Sequence, residues 1–260
     1  MSLPDYEYKG LMAQAWDVLR GDTSNWPDRF FYLKLIERFG QPVLDVGCGT
    51  GRLLLDYLAQ GIDIEGVDNS PDMLALCRAK ASGLGLAPTL YEQYLETISL
   101  PRQYRTILIP SSTLQLVIEP AMVDQALARL ADHLLPGGVV VAPFMTLWAV
   151  DGPLSAEWEQ IEVRAEDGAT FRRLSRSWHA AGSEIEHTED HYRLLIDDQV
   201  VAEEVHRRSP ATRSYTQAQA RSVFEPSAFS PVEMYSQFTF EAVKADDTVF
   251  TVVAHKASQG

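Results

Sequence analysis

"VLDVGCGTG", residues 43–51, places three glycines within five positions directly after a short apolar run that holds one aspartate. The run reads as a buried strand, and "RLLLDYLAQ" after the glycines reads as a helix stopped by Gly61. A strand that enters glycines and then a helix presents bare backbone N–H groups and the positive end of the helix dipole at the carboxyl edge of a sheet. Dinucleotide sites carry G-x-G-x-x-G at such a turn, but position 52 is arginine where the third glycine belongs. The spacing is instead G-x-G-x-G with Asp45 two residues ahead of it. This predicts a nucleotide-type site without the usual pyrophosphate fingerprint, and it disfavours a nicotinamide-dependent oxidoreductase.

Working outward, "IDIEGVD" is a second strand that ends on Asp68, 19 residues beyond Gly49, where a carboxylate can accept hydrogen bonds from both hydroxyls of a ribose. "SPDMLALCRAKASGLG" follows as a helix, with Ser70 as N-cap and Pro71 at the first helical position. "APTLYEQYL" is a weaker third strand, "YRTILIP" a strong fourth and "PGGVVVAPFM" a fifth, with the helix "PAMVDQALARLADHL" before the last. Strands that alternate with helices predict βαβ units on a parallel sheet.

After Trp148 the texture changes. Residues 157–208 give four extended segments separated by "EDG", "AAGS" and "DDQ", turn residues at hairpin spacing, and so predict an antiparallel meander. "YTQAQARSVFEPSAF" returns to a short helix capped by Thr216, and "SPVEMYSQFTFEAV" and "TVFTVVAHK" read as two closing strands at the edge of the first sheet. The expected organisation is a helical N-terminal cap at 1–40, a core at 41–150, an inserted antiparallel β-sheet at 151–210, and the closing helix and last two strands at 211–260.

The bulk properties limit the function. The chain has 260 residues and a formal net charge of −14, with no basic run longer than an arginine pair, so it would repel a polyanion and nucleic acid is not the expected partner. Two cysteines, Cys48 and Cys77, make neither a disulfide framework nor a metal pair. The first ten residues lack an export signal, and Pro136, Gly137, Gly138 and Pro143 break the longest uncharged stretch, so no membrane span is expected and the predicted location is cytoplasmic.

"VLDVGCGTGR", "VDNSPDML", "YRTILIPSSTLQ" and "LLPGGVVV" occur in that order and at ordinary spacing, and together they resemble the motifs of the class I S-adenosylmethionine-dependent methyltransferases, small-molecule branch. The likeness covers residues 12–150 well and the last 45 residues loosely, and it extends to the amino-sugar N-methyltransferases. It implies an α/β fold: a Rossmann-like sheet, mainly parallel with a reversed edge strand, plus the inserted meander and the N-terminal cap. It also implies an enzyme that binds S-adenosyl-L-methionine, releases S-adenosyl-L-homocysteine and methylates an O or N atom of a small metabolite by in-line displacement.

Carried over by position, the likeness sets Asp45, Gly47, Gly49 and Gly51 around the methionine part of the cofactor, Asp68 on the ribose, and Asn69 and Met73 beside the adenine. Where the family often has an aspartate for the adenine amino group this chain shows Tyr94, so backbone near Tyr94 and Leu95 is expected to read the base. Pro110 and Ser111 would lie by the sulfonium methyl, with Ser112 and Gln115 facing the acceptor, and Trp16 on the N-terminal helix would cover the donor. Cys48 reads as a small apolar filler.

The acceptor's base is left open. His187 and His191 lie four apart on one strand and so share a face; with Glu119 they are the candidates for a general base, and no third ligand supports a metal. Trp148 and Arg193 are candidates for an acceptor pocket built by the meander; the alternatives are core packing for such side chains, the commoner role of aromatics on strands, and a homodimer contact for the meander. The alternative function is a regulatory or scaffold protein that binds the donor without catalysis.

Overall fold

The apolar run before the glycines forms β1 (Val43–Val46), buried along its whole length. The computed structural model describes residues 6–148, 153–225 and 228–257. β1 pairs in parallel with β2 (Ile64–Asp68) on one side and β4 (Tyr104–Leu108) on the other. β3 (Thr89–Glu92) continues the parallel sheet beyond β2, and β5 (Leu134–Met145) continues it beyond β4. β11 (Val249–Lys256) runs antiparallel to β5, and β10 (Phe229–Ser236) runs antiparallel to β11, giving the order β10-β11-β5-β4-β1-β2-β3. The reversed strand therefore lies one in from the edge. Chain order changes direction between β1 and β4, and in open α/β sheets the carboxyl ends at such a point form a crevice.

Alternation along the strands feeds two cores. Val43 and Val141 face α2 (Pro27–Phe39), α3 (Leu54–Ala59) and α4 (Pro71–Gly83), where Tyr32, Leu35, Leu54, Tyr57 and Leu74 are fully buried. Leu44 and Val140 face the other way, onto α5 (Pro120–Asp132) and α6 (Gln217–Phe224), whose Leu127, Leu130 and Phe224 are equally enclosed. Each such aliphatic or aromatic side chain contributes roughly 1.5–3 kcal/mol by leaving water. The helix starts follow local chemistry: Ser70 Oγ accepts the Met73 N–H at 3.0 Å to open α4, and Thr216 forms a capping box with Gln219 to open α6.

The second sheet is a meander of β6 (Glu159–Arg164), β7 (Thr170–Trp178), β8 (Ile185–Ile196) and β9 (Gln199–Arg213), paired in sequence order. Asp197 and Asp198 form the β8–β9 turn with φ of 49° and 62°, the left-handed pair that a two-residue hairpin requires. β9 continues to Arg213, three residues past the expected end of the insertion at 210; the expected boundary at 150/151 lies outside the described residues. One face of the meander packs on α1 (Gly10–Arg20), where Tyr192 meets Leu11, Met12 and Ala15. Among the described residues no helix is long and apolar enough to cross a membrane.

Candidate active site

The carboxyl ends of β1, β2 and β4 open into a cleft lined by residues of the glycine loop, the end of β2 and the segment after β4. Its floor is the glycine loop. Gly47 and Gly49 have φ of 70° and 54°, a backbone region costly for other residues. A Cβ on Gly47 would also meet the Thr113 methyl at 2.6 Å, whereas one on Gly49 would meet nothing nearer than 4.0 Å and would project into open space. The loop thus needs glycine for two reasons, packing at Gly47 and room at Gly49.

Asp68 fastens the loop to β2. Its Oδ2 accepts the Gly49 N–H at 2.8 Å and its Oδ1 accepts the Ser70 N–H at 2.9 Å. Burial pushes its carboxyl up, and these backbone hydrogen bonds pull it back. Asp45 is enclosed at 1% exposure, and its Oδ1 has no hydrogen-bond partner. Burial raises its carboxyl to about 7, opposed first by the Arg52 guanidinium. A buried carboxylate oxygen without a donor is costly, so this atom marks a place for a ligand N–H.

Residues from the N-terminal segment cover the cleft. Tyr6, Tyr8, Trp16 and Arg20 line it from above. The Tyr6 hydroxyl donates to Glu96 Oε2 at 2.6 Å, and the Tyr8 ring meets Trp16 edge-on at 4.7 Å. Thr50 Oγ1 donates to Asp17 at 2.7 Å, tying α1 to the glycine loop. Arg52, which breaks the dinucleotide fingerprint, makes a two-point contact with Asp28. Arg20 lies 3.9 Å from the Trp16 ring centre and makes no ion pair among the described residues. Burial and the neighbouring Arg52 charge pull its guanidinium down, so an anion placed here would relieve both.

The cleft brings together most of the expected set: Trp16, Asp45, Gly47, Gly49, Asp68, Asn69, Met73, Pro110, Ser111 and Ser112 all line it. Ser111 has φ of 58°, a strained position on the floor beside β4. Tyr94 and Leu95 stand one side chain back, with Tyr94 edge-on to Tyr6 at 5.7 Å and Leu95 buried. Tyr6, Tyr8, Arg20, Thr50 and Arg52 are additional. Nothing in residue spacing marks Arg20 or Arg52 as cleft residues.

Other expected residues lie elsewhere. Gly51 turns away from the cleft, and a Cβ there would strike Cys77 Sγ at 2.7 Å. Gln115 is fully buried and spends its amide on Met145 and Arg213, clamping β5 to β9. Trp148 stacks on His179, and Arg193 is exposed and pairs with Glu203. His187 and His191 do share a face, but it is the face opposite Tyr192, turned away from α1; there His187 stacks on Trp178 and His191 bonds Glu189 at 2.8 Å. Glu119 is exposed at the start of α5. Neither histidine nor Glu119 lines the cleft. Cys48, by contrast, lies in the cleft lining as a buried free thiol that burial pushes well up.

S-adenosylmethionine has an ammonium, a carboxylate, a ribose and an adenine, and the cleft offers a counterpart for each. The unpartnered Asp45 Oδ1 suits the ammonium, and Arg20 suits the carboxylate. The spare lone pairs of Asp68 suit ribose hydroxyls, and the buried, unpartnered Asn69 Nδ2 beside Met73 suits the base.

Comparison with known proteins points the same way. Residues 43–138 match the family described as a methyltransferase domain. A dTDP-3-amino-3,6-dideoxy-alpha-D-glucopyranose N,N-dimethyltransferase of Streptomyces fradiae is 28% identical over 218 residues, covering 81% of this chain and 82% of that one. A dTDP-3-amino-3,4,6-trideoxy-alpha-D-glucopyranose N,N-dimethyltransferase of Streptomyces venezuelae is 30% identical over 52% of this chain and 54% of that one. In fold, the chain superposes on a crystal structure of an S-adenosylmethionine-dependent methyltransferase from Clostridium acetobutylicum with a TM-score of 0.75, at 15% identity over 94% and 97% of the two chains. It superposes on Streptomyces venezuelae DesVI with a TM-score of 0.73, at 22% identity over 96% and 100%.

Proposed function

We propose that the chain is a class I S-adenosylmethionine-dependent methyltransferase and that it methylates the amine nitrogen of a small amino sugar. The observation that carries the acceptor is the length of the likeness to the Streptomyces fradiae sugar N,N-dimethyltransferase. Its 218 aligned residues exceed the 43–138 domain and must run into the meander.

The chemistry of the cleft favours nitrogen over oxygen. S-adenosylmethionine supplies a methyl group already activated on a sulfonium. A neutral amine attacks through its own lone pair and sheds a proton afterwards, whereas a hydroxyl needs a base as it attacks; with the cleft-lining carboxylates Asp45 and Asp68 committed to the donor, no carboxylate or histidine of the lining is left for that role. The work left to the protein is positioning and exclusion of water, which can remove roughly 7–11 kcal/mol of barrier. In this reading Asp45 and Arg20 orient the amino-acid end of the donor, Asp68 holds the ribose, and Tyr8 and Trp16 shut out water. Pro110, Ser111 and Ser112 form the floor on which the amine approaches. We assign the meander, near residues 151–210, to acceptor recognition.

We place the enzyme in the cytoplasm with no nucleic-acid partner, in line with its charge of −14. A second copy of the chain is the proposed neighbour of the outer strand β9, where Val200, Val201 and Val205 are about half exposed. The test of function is product formation. With S-adenosylmethionine and 3-amino-3-deoxy-D-glucose, the protein should give a methylated amine by mass spectrometry and leave D-glucose unchanged. Methylation of the hydroxyl sugar at an equal rate would overturn the nitrogen assignment.

A further inference from the structure

The inner face of the meander carries a polar cluster that the cofactor cleft does not use. Thr188 on β8 and Arg208 on β9 are cross-strand partners, and Asp190 lies two residues along β8 on the same side. Four of their atoms are shut away from solvent without a hydrogen-bond partner: Thr188 Oγ1, Asp190 Oδ2, and Arg208 Nε and Nη1. Asp190 is 1% exposed, and its other oxygen takes both contacts from Arg173, at 2.9 and 2.6 Å. Buried polar groups are nearly always paired, so a concentration of unpaired ones marks a place where a ligand completes the set.

The cluster is one side chain away from the cleft. The Arg208 guanidinium lies 4.9 Å from the centre of the Tyr8 ring, and Tyr8 lines the cofactor cleft. We propose that this inner face, with Arg208, Thr188 and Asp190, is the acceptor subsite, and that it holds adjacent hydroxyls of the sugar ring while the amine projects past Tyr8 toward the methyl donor. The proposal rests on the reading of the chain as an amine methyltransferase and adds where its acceptor binds.

The ligand class follows from the mixture of atoms. Arg208 offers the N–H groups of two nitrogens, Asp190 one acceptor oxygen, and Thr188 either a donor or an acceptor. An anion would face the free Asp190 oxygen, and a cation would face Arg208 and Arg173. A neutral pair of vicinal hydroxyls both accepts and donates, and so satisfies the arginine and the aspartate together. The apolar face of the ring then lies against Tyr8, which must turn aside to admit it.

Saturation-transfer NMR on the protein saturated with S-adenosylhomocysteine tests this with three probes: 3-amino-3-deoxy-D-glucose, cyclohexylamine, which keeps the ring and amine but lacks hydroxyls, and glycine. The amino sugar should receive saturation at least ten times more strongly than cyclohexylamine. That signal should fall at least fivefold in Arg208→Met and in Thr188→Val, with S-adenosylhomocysteine affinity unchanged in both. Thr188→Val leaves the Arg173–Asp190 pair intact and guards against misfolding in the arginine variant. Equal transfer to cyclohexylamine, full transfer to the sugar in both variants, no transfer to the sugar, or transfer to glycine alone would each overturn the subsite. Failure of S-adenosylhomocysteine to bind would instead count against the cofactor reading.

Discussion

Asp45 is the residue whose chemistry is most exposed to test. In the unbound protein its carboxyl sits near 7 because burial disfavours its charge. A raised carboxyl favours the folded state below the ordinary carboxylate range, and this advantage is lost as pH rises toward 7. Asp45→Asn should therefore raise stability at pH 8 by at most about 4 kcal/mol and have little effect at low pH, as read from urea unfolding. An ammonium placed against Asp45 favours the carboxylate, so S-adenosylhomocysteine should bind more tightly as pH rises from about 5.5 to 7, with release of a proton. Titration calorimetry in two buffers of different ionisation enthalpy reads that proton, and a pH-independent affinity would remove Asp45 from the amino group. Arg20 has its own control. Arg20→Met should weaken S-adenosylhomocysteine by on the order of tenfold, the loss of one charge-assisted hydrogen bond, and leave 5′-methylthioadenosine, which has no carboxylate, unaffected.

At the scale of elements, Asp68 shows what sequence spacing conveys and what it conceals. Its place at the end of β2 was legible from the 19-residue interval after Gly49. Its hold on the Gly49 N–H was not, because a carboxylate that accepts from a loop backbone N–H leaves no mark in the residue type of its partner. Asp68→Asn keeps the shape of the side chain and one acceptor, so it should weaken the cofactor by about 1–3 kcal/mol with little change in the unfolding midpoint. Asp68→Ala should also loosen the loop, seen as faster hydrogen exchange at Gly49. Strands, caps and turns were legible where local chemistry decides them: Ser70 and Thr216 cap helices, and the three turn sequences divide the meander. Thr216→Ala should cost about 1 kcal/mol in unfolding free energy. The facing of Gln115 was not legible, since a glutamine after β4 can line a cleft or clamp two strands, and here contacts with Met145 and Arg213 decide it.

For the whole molecule, the arrangement of the N-terminal segment against both sheets decides what the cleft can do. Leu11 N–H bonds Glu204 on β9, the Gly10 N–H bonds Asp72 on α4, and Ser70 Oγ donates to the Tyr8 carbonyl. One short stretch thus joins the donor-binding core to the meander. Such long-range pairing is invisible to periodicity, which is why His187 and His191 looked eligible as bases from their spacing alone while Arg208 drew no attention. The sheet itself was legible because a buried parallel strand, its glycine turn and its helix are contiguous in sequence. The most direct test of the central claim is isothermal titration of the purified protein with S-adenosylmethionine, S-adenosylhomocysteine and NAD in parallel. Saturable binding of both adenosyl-sulfur ligands and none of NAD is expected; binding of NAD alone would contradict the methyl-donor site and every cleft assignment built on the glycine loop.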